Sequence, residues 1–135
     1  MFPMHNTAIP PAIPGVFALS DPRMPDIPLY IGGTNNMARW YRTAWRYGIP
    51  LSMLLDTWLN KMRCAQIPPT FSVVETMPSA FRGILLSRTL ATRKIFYITR
   101  AVRNGYALLN LHHNHSVPPP YLALMQWKPD TGPFQ

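Results

Sequence analysis

The spacing of hydrophobic and polar positions changes several times along this chain, and each change marks an element. Val16 to Leu19 is a short apolar run. Asp21-Pro22 to Pro28 is polar and proline-bearing, and a second apolar run follows at Leu29–Ile31, the pattern of two strands joined by a loop. Gly32-Gly33 breaks that pattern, and Thr34, Asn35 and Asn36 each offer a helix cap. Helical spacing begins there. At about 100° per residue, Met37, Tyr41, Ala44 and Trp45 fall on one side of the helix. Arg39, Arg42 and Arg46 fall within roughly 60° of one another on the other side, an arginine ridge. Gly48 and Pro50 mark its stop.

The second half carries signals of the same kinds in a different order, with no internal repeat. Ser52 to Met62 predicts a helix with Met53, Leu54, Leu55, Trp58 and Leu59 as its apolar content, ended by Pro68-Pro69. Phe71-Ser72-Val73-Val74 is β-branched and aromatic, a strand that Pro78 closes. Ser79 is placed to cap the longest helix, which runs to Arg103. On it Ile84, Ala91, Ile95, Ile98 and Val102 cluster within about 60° and are predicted to be core, with Arg82, Arg93 and Arg100 opposite. Residues 1–13 hold Pro3, Pro10 and Pro11 among small apolar residues and predict an extended arm that does not join the sheet. The 111–135 tail holds His112, His113 and His115, a stiff triproline at 118–120, and an apolar segment, Tyr121, Leu122, Leu124, Met125 and Trp127, that needs cover on this domain or on a partner. No cysteine accompanies the histidines and no zinc pattern is completed, so no metal site is predicted.

Composition changes this picture chiefly through charge. The chain has 135 residues, enough for one domain with extensions, and carries 13 Lys+Arg against 5 Asp+Glu, a net charge of +8. From Ser79 to Arg103 there are six basic residues and no carboxylate. Single-sign faces rich in arginine suit bidentate contacts to a polyanion, nucleic acid before a membrane surface, although a solvated basic face is the plainer alternative. No apolar run approaches the length of a membrane span, and the N-terminus lacks the pattern of a secretory signal. Cys64 stands alone, which predicts a reducing, intracellular compartment and an inert, semi-buried thiol.

Gly15-Val16-Phe17 followed by Tyr30-Ile31-Gly32, an asparagine and an arginine-bearing helix is similar to the GIY-YIG nucleases. Phe71 to Met77 resembles that family's third strand, Ser79 to Arg103 its long helix, and Asn104-Gly105-Tyr106 its closing turn, so the likeness spans about residues 14–110. Family members cut a phosphodiester with one divalent metal held by a glutamate on the long helix, an arginine near the attacked phosphate, tyrosines from the two name motifs and a histidine. Tyr30 is retained at the second motif. Phe17 replaces the first tyrosine, Trp40 stands at the arginine position with Arg39 beside it, Ala44 stands at the histidine position, and Lys94 stands where the metal-binding glutamate is expected. A cation in place of an anionic ligand opposes a divalent ion.

The expectation is therefore an α/β (α+β) domain over residues 14–110. It has a small three-stranded, mostly antiparallel sheet flanked by helices, with proline-rich arms at both ends. Its expected function is that of a catalytically inactive GIY-YIG-like module binding DNA or RNA. Arg39, Arg42, Arg46, Arg82, Arg93 and Arg100 contact phosphates, and Tyr30 and Trp40 offer stacking surfaces. Two alternatives stand beside it. One is an active, divergent endonuclease using Tyr30, Arg39 or Arg42 with Mg²⁺ or another divalent metal; in the inactive reading there is no cofactor. The other is an assembly subunit whose arms dock on a protein partner within a larger particle. No membrane association is expected.

Overall fold

The computed structural model describes residues 2–48 and 52–110, and the tail beyond Asn110 lies outside it. Seven elements follow one another: β1 (His5–Thr7), β2 (Gly15–Ser20), β3 (Tyr30–Thr34), α1 (Met37–Tyr47), α2 (Met53–Ala65), β4 (Thr70–Thr76) and α3 (Gly83–Arg103). The strands form one antiparallel sheet of order β1-β4-β2-β3, with a bulge at Val16/Phe17 where β2 meets β4.

The fold class is the α+β class expected, but the sheet has four strands rather than three. The fourth comes from the proline-rich N-terminal arm. His5, Asn6 and Thr7 pair with Val73, Ser72 and Phe71. Three residues between Pro3 and Pro10 supply the donors of a short edge strand, which is where proline-flanked segments are tolerated. The arm does more than pair. Phe2 is buried with its ring edge-on to Tyr97 and Tyr106, and the Pro11 and Ile13 carbonyls accept the Ala38 and Met37 amides, the first of α1. The orphan donors of a helix start are thus satisfied by residues expected to stand apart from the domain.

Strand alternation sends side chains to both faces of the sheet, and each face has its own core. On one, Phe17, Leu19, Tyr30 and Phe71 pack with Met37 and Ala44 of α1 and Leu55, Trp58, Leu59 and Met62 of α2. On the other, Val16, Ala18, Ile31 and Val74 pack with Leu90, Tyr97, Ile98 and Ala101 of α3, and with Phe2. The stripe α3 buries is therefore not the predicted one. Ile84 and Ile95 are 71% and 53% exposed, Ala91 is exposed, and of the expected set only Ile98 is buried, with Val102 partly so. The helix also starts later than Ser79, at Gly83, after a turn closed by the Phe81 amide on the Pro78 carbonyl.

The far edge of β3 is closed by the segment after α3. Asn110 is fully buried, and its carboxamide mimics a strand partner. Oδ1 accepts the Ile31 amide at 3.0 Å and Nδ2 donates to the Ile31 carbonyl at 2.7 Å, while the Leu109 amide donates to the Leu29 carbonyl. Arg63 of α2 is likewise structural: its guanidinium donates to the Ala44 and Trp45 carbonyls near the end of α1, where a cation is favoured. Cys64 is exposed rather than semi-buried. Among the described residues no helix is long and apolar enough to cross a membrane.

Candidate nucleic-acid interface

The β3–α1 turn sets the geometry of the basic helix. Gly32 has no side chain where a Cβ would lie 2.5 Å from the Phe17 ring, so the ring can lie across the strand. The chain then turns through Thr34 and Asn35 to Asn36, the N-cap. Asn36 has extended backbone angles, and its Oδ1 accepts the Arg39 amide at 3.0 Å. The Thr34 hydroxyl accepts the Asn36 amide at 3.2 Å. With the α1 entry fixed at both ends of this turn, Met37 and Ala44 face the core, and Arg39, Arg42 and Arg46 face solvent. These three span roughly 10 Å of helix axis at about 1.5 Å per residue. Measured along the duplex axis, that length corresponds to about three phosphate steps of one strand, at a rise of about 3.4 Å each. α1 contains no acidic residue.

Other expected contacts are placed differently. Tyr30 is 8% exposed, and burial pushes its phenol up to about 12. Its ring stacks on Trp40 at 5.9 Å and 11°, and Trp40 lies 4.4 Å from Phe17. Phe17, Tyr30 and Trp40 do come together, but as one aromatic cluster continued through Phe71, so the faces of Tyr30 and Trp40 expected to receive bases are turned on each other. Arg82, the residue just before α3, is exposed, as are Arg88, Arg100 and Arg103 on the helix.

Arg93 is not part of an open ridge. Its Nε donates to Glu75 Oε1 at 2.8 Å, and its guanidinium lies over the Phe96 and Tyr97 rings. The Tyr97 hydroxyl donates to the same Glu75 oxygen at 2.9 Å. The hydrogen bond and charge of Glu75 raise the Arg93 pKa, and burial, with the Glu75 bond second, raises that of Tyr97. Glu75 is the only glutamate of the chain and reads in the sequence as a residue of the third strand, with no contact to Arg93 or Tyr97 implied. The i, i+4 spacing of Arg93 and Tyr97 was the available signal, and only the strand crossing brings Glu75 to them.

Lys94, by contrast, lines a cleft of about 420 Å³ between the β3–α1 turn and α3, together with Thr34, Asn35 and Ser87. Burial lowers its pKa. Arg39 reaches the rim, where its Nη2 donates to Asn35 Oδ1 at 3.0 Å.

The divalent metal implied by an active nuclease does not fit these residues. Lys94 occupies the expected ligand position, Glu75 already holds Arg93 and Tyr97, and among the described residues no three of His, Cys, Asp and Glu converge. The histidines of the tail lie outside the described residues. No family model matches this chain, and no curated protein or solved structure is significantly similar to it.

Proposed function

We propose that this chain is a nucleic-acid-binding module that grips phosphates through the α1 ridge of Arg39, Arg42 and Arg46, extended by Arg82 and by Arg100 of α3, and that it does not cleave them. The carrying observation is the ridge itself, three exposed guanidiniums about one turn apart on a helix without a carboxylate. Elsewhere, Asp21 is bound by Arg23 at 2.6 Å and Glu75 by Arg93, so neither acts as an open acidic group against the ridge. Of the expected phosphate contacts Arg93 is omitted, since Glu75 compensates its charge.

Binding of a duplex should weaken steeply with salt, because each neutralised phosphate releases counterions at a log–log slope of about −0.9. Replacing Arg39, Arg42 and Arg46 together by alanine is expected to flatten the slope by nearly three units, whatever the sequence. A slope unchanged in that variant overturns the proposal. Plasmid DNA and RNA incubated with the protein and Mg²⁺ or Mn²⁺ are expected to stay intact, and cleavage abolished by Tyr30→Phe would restore the active-nuclease reading.

A role as an assembly subunit has its own observation. Ile84, Leu85, Ile95 and Phe96 leave α3 with more exposed apolar surface than a solvated helix carries. If that role holds, Ile84→Ser with Ile95→Ser abolishes assembly in sedimentation while the melting temperature stays put.

A further inference from the structure

We propose that the cleft between the β3–α1 turn and α3 receives an unpaired nucleotide, with Lys94 as the fixed cation for its phosphate. This rests on the nucleic-acid reading above and adds to it a preference for single strands. Three features point to such an occupant. The first is size and shape: at about 420 Å³ the cleft falls in the range of small-ligand sites. A base paired and stacked inside a duplex cannot enter it; an unstacked nucleotide can.

The second is the division of its walls. Leu86, Leu90 and Ala91 of α3 form an apolar side on which a sugar or base face can rest. Thr34 and Asn35 stand on the facing β3–α1 turn, and Ser87 joins Lys94 on the α3 side, so both walls add hydroxyl, carboxamide or ammonium donors. The two walls meet at Gly33 and Leu90: a Cβ on Gly33 would sit in ordinary contact, 3.5 Å from the Leu90 carbonyl oxygen.

The third is charge. Lys94 is half-buried at this wall, where an ammonium interacts more strongly with an anion than it does in open water, and no carboxylate lines the cleft. Burial lowers the pKa of the amine there, and a phosphate beside it would favour the charged form. Arg39, hydrogen-bonded to Asn35 at the rim, joins the cleft to the α1 ridge. A strand followed along Arg46, Arg42 and Arg39 therefore arrives at the cleft mouth, which favours a nucleotide of that strand over an unrelated small anion.

The test compares two probes on the full chain, a 5′-phosphorylated thymidine dinucleotide and a duplex oligonucleotide, by titration calorimetry and amide chemical shifts. Two variants block the cleft by different means. Lys94→Met removes the charge and keeps the stem, and Ala91→Phe fills the space from an exposed helical position. Saturable dinucleotide binding is expected, with shifts at Thr34, Asn35 and Ser87. Each variant should weaken it by about tenfold or more, Lys94→Met through the loss of one charge-assisted hydrogen bond and Ala91→Phe by excluding the ligand. Duplex binding through the ridge persists in both. Dinucleotide affinity unchanged in both variants overturns the cleft assignment, as does failure of the dinucleotide to bind while the duplex does. Failure of both probes overturns the nucleic-acid reading as well.

Discussion

Helices α1 and α3 look alike in sequence, each apolar on one side, arginine-rich on the other and free of carboxylates, yet they meet the sheet in different ways. On α1 the apolar residues nearly all fit one face, with Tyr47 at its last position the exception at 74% exposure. Met37 and Ala44 are buried and Tyr41 and Trp45 half-buried, and the arginines take what remains. On α3 apolar residues lie all around the helix, more than one sheet face can cover. Leu86, Leu90, Tyr97, Ile98 and Ala101 face inward, while Ile84, Leu85, Ile95 and Phe96 stay outside. Periodicity locates a buried stripe when only one is on offer. With two on offer, the choice falls to the partners, and here Tyr97 decides much of it: its ring meets Phe2 and its hydroxyl reaches Glu75.

The sharpest way to break this comparison is to cut the two candidate stripes of α3 separately. Leu90→Ala is expected to destabilise the fold by about 2–4 kcal/mol in urea unfolding, the usual cost of a truncated core leucine. Ile95→Ala, on the stripe favoured by periodicity, should stay within about 0.5 kcal/mol. Equal losses at both sites would mean that α3 sits in another rotation.

On the α1 side the corresponding probe is Tyr30. Its folded pKa stands near 12 against an ordinary 10, so the unfolded chain ionises first as pH rises. The stabilising contribution is complete below pH 10 and disappears as pH climbs from about 10 to about 12, worth roughly 2–3 kcal/mol over that window. Tyr30→Phe cannot ionise. The stability of the variant relative to the native chain should therefore climb by that amount between pH 9 and pH 12, and a gap that stays flat would show the phenol to be in water.

A smaller effect tests what holds α3 in its rotation. Tyr97→Phe keeps the ring against Phe2 and removes the hydroxyl from Glu75, for an expected loss of about 1 kcal/mol. It should leave the salt slope of duplex binding untouched, because neither Tyr97 nor Arg93 belongs to the exposed ridge. A slope that changes in Tyr97→Phe would place this cluster at the interface after all.

Much of the frame was legible in the chain. The strands β2 and β4, the start of β3, a helix cap among Thr34, Asn35 and Asn36, the α1 ridge and the helices α1 and α2 all rest on local signals: alternation, turn residues, capping chemistry and 3.6-residue spacing. β3 itself runs on through Gly32-Gly33 to Thr34, held by its pairing with β2, and α2 runs past Met62 to Ala65. Local signals act over a few residues, and sequence alone carries them. What it could not carry was the choice among long-range partners. The arm of residues 1–13 reads as a stretch too rich in proline for a sheet until β4 offers an edge on which three paired residues suffice. Arg93 reads as one of six basic residues on its helix until the fold brings Glu75 within 2.8 Å of it. Tyr30 reads as an available aromatic until Trp40 stacks on it. Lys94 reads as a cation where the resemblance implies a carboxylate, and the cleft around it forms only when α3 packs beside Gly33. Local periodicity decided where the elements are and where positive charge gathers. Which faces, edges and charges remain open was decided only when distant segments competed for the same surface.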